Sequence, residues 1–148
     1  MNLEELYISL HGDYADAKAR LMNDRLVEKF VLKFPSDPSM QQLREAVVSG
    51  DNAAAFRAVH TLKGVAANLS FSELRKAASD LTEQLRGCDK PADAELLKKL
   101  EEAYKLVIDS IRHLLFSYLQ CTIYVLFPIA VGIDYFDWRK IVNQPNSK

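Results

Sequence analysis

Cysteine is scarce: Cys88 and Cys121 are the only two in 148 residues. They stand too far apart for the short paired spacing of a zinc site, and two cysteines make no disulfide framework, so a reducing setting is expected. Neither sign of charge is in excess, with 19 basic against 20 acidic residues and a net charge of -1. That balance argues against a general nucleic-acid binder, which needs a strongly basic face. A glycine-rich phosphate loop, paired acids of clear geometry and a serine-nucleophile arrangement are all missing. The chain is therefore not expected to take phosphate from ATP, and no cofactor or metal is expected. It opens Met1-Asn2-Leu3-Glu4-Glu5, acidic and amphipathic, without the basic start and apolar run of a secretory signal. A cytoplasmic location is the expectation.

What is present is an ordinary globular composition, 49% hydrophobic and 26% charged, enough to bury one core. From Leu3 to Leu114 the apolar residues recur at three- and four-residue steps with almost no alternation, so the fold class is all-α. A short helix is expected from Glu4 to Leu10, ended at Gly12, and a second from Asp13 to about Leu21. Asp24 is expected to cap a helix with Val27, Phe30, Val31 and Phe34 on one side, stopped by Pro35 and Pro38. Ser39 starts the next, with Leu43, Ala46 and Val47 inward, ending at Gly50. Asp51 caps the following one, and Ser72 opens another whose Leu74, Ala78, Leu81 and Leu85 face inward. The link at Ser70 and Phe71 is short, which makes the helices on either side antiparallel neighbours. Pro91 is expected to begin a long last helix with Leu96, Leu97, Leu100, Tyr104, Val107, Ile108 and Ile111 inward. Four long helices with complementary stripes predict an antiparallel four-helix bundle, preceded by short N-terminal helices.

Composition changes abruptly after His113, and the organisation expected is a bundle over 1–114 with an apolar C-terminal extension over 115–148. From Leu114 to Ile133 no residue carries a formal charge, a length that can span a bilayer. The flank Asp134-Tyr135-Phe136-Asp137-Trp138-Arg139-Lys140 mixes aromatic and basic residues as membrane interfaces do. Against a span, Ser117, Gln120, Thr122 and Pro128 interrupt the run, and Ile123 to Phe127 is β-branched and aromatic enough for a buried strand. Three readings stand side by side: a membrane anchor through residues 114–133, a segment packed on the bundle, or a contact with a second copy.

One helical stretch brings together residues that suit chemistry: Val59-His60-Thr61-Leu62-Lys63-Gly64-Val65-Ala66-Ala67-Asn68-Leu69. His60, Lys63, Gly64 and Ala67 fall at i, i+3, i+4 and i+7 and so share a face. Ala55, Val59, Leu62, Ala66 and Leu69 form a separate apolar stripe, with His60 roughly 130° from its centre at ~100° per residue. The imidazole is expected to face solvent beside the buried seam. A neutral imidazole offers one nucleophilic ring nitrogen near neutral pH, which can accept a phosphoryl group. Such a group arrives with about -1.5 to -2 charges, which Lys63 one turn away is placed to offset. Gly64 costs about 1 kcal/mol against alanine in a helix interior, which is explicable if a partner must approach closely. An isolated helical histidine is most often plain surface, and His11 and His113 are read that way. Arg57, Arg75, Lys76 and Arg86 are candidate docking cations, although exposed charges on helices are usually only solvated.

The run Ala58-Val59-His60-Thr61-Leu62-Lys63-Gly64 with Asn68-Leu69, followed by Leu74, Ala78, Leu81 and Leu85, resembles a histidine-containing phosphotransfer (HPt) domain over roughly Asn2 to Leu114. The resemblance implies a four-helix bundle whose exposed histidine relays phosphoryl groups between receiver-domain aspartates in multistep two-component signalling. It further implies that His60 is the phosphorylated residue, Lys63 its charge partner and Gly64 the clearance position. Response-regulator receiver domains or a hybrid histidine kinase would be the partners. The position after Leu69, often glycine in that family, is Ser70. The tail after Leu114 lies outside the family pattern. A non-catalytic helical adaptor or membrane-tethered scaffold is the competing function, and a small enzyme with His60 as general base lacks an identifiable second group.

Overall fold

A computed structural model of the protein describes residues 1–131, with side chains described as far as residue 119. Within them lie α1 (Leu3–Ser9), α2 (Tyr14–Leu21), α3 (Asp24–Lys33), a 3-10 turn (Phe34–Ser36), α4 (Ser39–Ser49), α5 (Asn52–Asn68), α6 (Ser72–Gln84) and α7 (Ala94–Val131). Among the described residues there is no strand. The chain is all-α, and α4 to α7 form the bundle: α5 packs against both α4 and α6, and α6 against α7. The α4–α7 seam is joined by Arg44, which donates to both oxygens of Glu101 at 2.8 and 2.6 Å. At one end, α1 rests on α7, and α2 links α3 to α5.

The core is the set of stripes read from periodicity. Leu43, Val59, Leu62, Ala66, Ala78, Leu81, Leu100 and Ile111 have no exposed surface beyond traces. Burying the leucine, valine and isoleucine side chains contributes roughly 1.5 to 3 kcal/mol each, which is why period outweighs local propensity here.

Several helix ends differ from expectation. Asn23, not Asp24, caps α3 by accepting from the Leu26 amide at 2.9 Å. Asp24 instead accepts from the Tyr14 hydroxyl at 2.7 Å and Lys18 Nζ at 3.0 Å, tying α2 to α3. Ser72 does open α6, as its first residue, and Phe71 holds the cap position without a side-chain hydrogen bond. Pro91 does not begin α7, which starts at Ala94 because Asp93 accepts from the amides of Glu95 and Leu96, both at 3.0 Å. Pro91 lends only its carbonyl, to Gln84 Nε2 at 2.9 Å. At the starts of α3 and α7 a neighbouring residue offers an amide or carboxylate oxygen that reaches the free N–H groups better.

Gly12 does not terminate α1, which ends at Ser9; the left-handed residue there is His11, with φ 49°. Gly12 serves a close approach, since a Cβ at that position would stand 3.0 Å from both the Ser70 carbonyl oxygen and Tyr7 Cδ1. Phe30 also departs from its expected burial and is 41% exposed. Val27, Val31 and Phe34 already occupy the inward stripe, so Phe30, on its edge, borders an open groove with Leu21, Pro38 and Val65.

The strand considered for Ile123 to Phe127 does not form, because α7 continues unbroken through it to Val131. Extending an existing helix adds a backbone hydrogen bond per residue without a new nucleation cost, whereas a lone strand has no partner. Leu114 is buried, while Leu115, Phe116 and Leu119 are 40%, 59% and 60% exposed. Among the described residues no helix is long and apolar enough to cross a membrane. The flank at 134–140 lies outside the described residues.

Candidate functional site

α5 is built from alanines and leucine at the right period, and Asp51 caps it by accepting from the Ala54 amide at 2.8 Å. Ala55, Val59, Leu62, Ala66 and Leu69 are buried, and the same helix turns His60, Thr61 and Gly64 outward. His60 is exposed, next to two fully buried neighbours on its own helix, Val59 and Leu62. Its ring stacks on Phe56, one turn earlier, with centroids 5.9 Å apart and planes at 28°. That stack restricts the imidazole to one side of the helix and leaves its outer edge open.

Lys63 is half-buried, and among the described residues no ion pair engages it. Its ammonium is thus available to an incoming anion. A methyl group placed on Gly64 would meet nothing within 4 Å. Among the described residues no atom needs a glycine there, and the helix would be better served by alanine.

Across the seam, α6 completes an open groove of about 690 Å³ in which His60, Lys63, Gly64 and Ala67 face Arg75, Lys76 and Asp80. Two of the four candidate docking cations, Arg75 and Lys76, therefore line the histidine's groove. Arg57 lines a different cleft, between α4 and α5, and Arg86 is bound to Glu83. His11 and His113 are exposed and line neither of these clefts.

The far end of α5 is held by a tight turn. Ser70 is left-handed, with φ 52°, and the amides of Ser70 and Phe71 donate to the carbonyls of Ala67 and Ala66 at 3.1 and 3.0 Å. This pair of hydrogen bonds normally favours glycine at the left-handed residue. Ser70 makes up for it by donating its hydroxyl to Asp16 Oδ2 at 2.6 Å. Arg20 first, and Ser70 after it, hold the Asp16 carboxyl below the usual carboxylate range.

Two residues near the imidazole escape a reading of the sequence. Phe56 was within reach, being four residues before His60 on the same helix. Glu83 was not, since its nearness to His60 depends on how α6 lies against α5.

Among known protein families, a model described as Hpt domain matches residues 25–110, more than half of the chain. The match begins at α3 and ends within α7, so α1, α2 and the far part of α7 lie outside it. No curated protein and no solved structure matches the chain.

Proposed function

The chain belongs to the Hpt-domain family, whose members transfer phosphoryl groups in the phosphorelays of two-component signalling, and from that premise we propose that His60 carries the phosphoryl group. The observation that supports this is the exposed imidazole with an unpaired lysine one turn away and open space over Gly64. The partners proposed are receiver domains of response regulators or of a hybrid histidine kinase. The carrier is assigned to the bundle over 1–114, with 115–148 as an extension that does not take part in the chemistry.

In the transfer, the unprotonated ring nitrogen of His60 supplies its electron pair to phosphorus, and the bond from phosphorus to the aspartyl oxygen breaks. The carboxylate leaves with that bond's electrons, and the other ring nitrogen keeps its proton. Little covalent assistance is required, so positioning and charge do most of the work. Phe56 orients the ring, Lys63 meets the equatorial oxygens, and the bare helix at Gly64 admits the receiver's loops.

Incubating the chain with a receiver domain that holds an aspartyl phosphate tests this. Label should appear on the chain in an acid-labile, alkali-stable form, as expected of a phosphoramidate; a chain that stays unlabelled overturns the reading. Gly64→Ala separates the needs of the fold from those of the partner. It should raise stability by about 1 kcal/mol, seen in urea unfolding, because alanine is the better helix former. It should at the same time slow exchange with the receiver, and an unchanged exchange rate would remove Gly64 from the docking surface.

A further inference from the structure

A carboxylate on the helix that faces His60 has no part in the phosphoryl transfer itself. Glu83 on α6 is gripped by Arg86, Nε to Oε2 at 2.8 Å and Nη2 to Oε1 at 2.7 Å, and both side chains are exposed. The turn between α5 and α6 centres on Ser70 and Phe71, so antiparallel packing sets position 60 level with about position 81. The α6 turn that carries Asp80 and Glu83 therefore lies alongside His60, and Asp80 does line the histidine's groove. Chiefly the Arg86 hydrogen bond, then the charges of Arg86, Lys63 and His60, hold the Glu83 carboxyl below its ordinary range. Lys76 and Ser79 line the histidine's groove, and Glu83 follows them on the same face of α6, so Glu83 with its partner Arg86 stands at the end of the groove that holds His60 and Lys63.

Resting on the reading of His60 as the carrier, we propose that Glu83 shortens the lifetime of the phosphoryl group on His60 and that Arg86 moderates this by neutralising its carboxylate. The loaded imidazole brings about -1.5 to -2 charges next to a carboxylate, which disfavours the loaded state relative to the empty one. Discharge breaks the bond from nitrogen to phosphorus and leaves the electron pair on the ring nitrogen. The phosphoryl group goes to a receiver carboxylate, or to water with loss of a proton to solvent. Lys63 favours retention and Glu83 favours release, so the pair sets how readily the carrier gives up its load.

The two variants Glu83→Gln and Arg86→Gln have opposite expected signs. The first removes the repelling charge; the second leaves that charge uncompensated and removes a cation. Full-length chain carrying His11→Gln and His113→Gln, so that His60 is the one histidine left, is loaded with phosphoramidate, a small reagent that phosphorylates histidine directly, and followed by phosphorus NMR as the phosphohistidine decays. Glu83→Gln should lengthen its lifetime roughly twofold to fivefold and Arg86→Gln should shorten it by a similar factor, the range of exposed charge interactions. Both differences should collapse at about 1 M salt, where the screening length is roughly 3 Å. A lifetime unmoved by Glu83→Gln, a shift of both variants in the same direction, or insensitivity to salt overturns the proposal. Because the reagent needs no protein partner, failure of exchange with a receiver counts against the proposed function alone and leaves these lifetimes readable.

Discussion

His60→Gln is expected to abolish labelling by a phosphorylated receiver domain while leaving helix content and thermal midpoint where they are. Glutamine keeps a polar side chain of similar reach, but its amide nitrogen has no free electron pair with which to attack phosphorus. The fold should not notice, because His60 is exposed and its one ring contact is with a half-buried neighbour, Phe56. Surface replacements of this kind usually stay within about 0.5 kcal/mol. His11 and His113 remain as built-in controls, both exposed and both chemically able to take a phosphoryl group. Label that persists on the His60→Gln chain would move the site to one of them and overturn the assignment.

Phe71→Ala should have the largest effect on stability, a loss of about 3 to 5 kcal/mol, the usual range for truncating a buried phenylalanine. Phe71 is 1% exposed and sits at the turn that joins the His60-bearing helix to α6. Its ring meets Tyr7 of α1 at 5.6 Å and, edge-on, Phe34 of the 3-10 turn at 5.5 Å. The row continues outward, from Tyr7 to Tyr14 at 5.3 Å and from Phe34 to Tyr104 of α7 at 5.6 Å. Arg44 then covers the Tyr104 ring with its guanidinium 5.6 Å from the centroid. Removing the central ring therefore opens a cavity and separates two aromatic pairs at once. Tyr7 would lose a packing neighbour near its buried hydrogen bond to the Leu69 carbonyl, 2.8 Å long. Urea unfolding of Phe71→Ala against Phe116→Ala provides the comparison, since Phe116 is 59% exposed and its loss should be small. A Phe71→Ala loss of under about 1 kcal/mol would mean the aromatic row does not anchor the bundle.

The bundle was legible because each stripe is local: Val59, Leu62 and Ala66 declare a buried face within two turns of one helix. The outward placement of His60 and Gly64, with Lys63 half-buried on the same face, was legible for the same reason. Helix ends were read less well. Asn23, Asp24 and Asp93 all offer capping oxygens, and which one reaches a free amide depends on how the chain enters the helix. Phe30 shows the limit of the stripe itself, since at its edge burial depends on whether a neighbouring helix arrives to cover it.

From the sequence alone came the all-α class, the pairing of α5 with α6 and the shared face of His60, Lys63 and Gly64. All three follow from backbone hydrogen bonding and a 3.6-residue period, which act between residues a few positions apart. Tertiary structure decided the rest: the aromatic row drawn from α1, α2, the 3-10 turn, the α5–α6 turn and α7, the lashing of Ser70 to Asp16, and the groove in which Lys76 and Asp80 of α6 face His60. These contacts join residues far apart in the chain, and their geometry depends on the rotation and offset of one helix against another. Side-chain packing across the core sets those two quantities, and no single helix contains them.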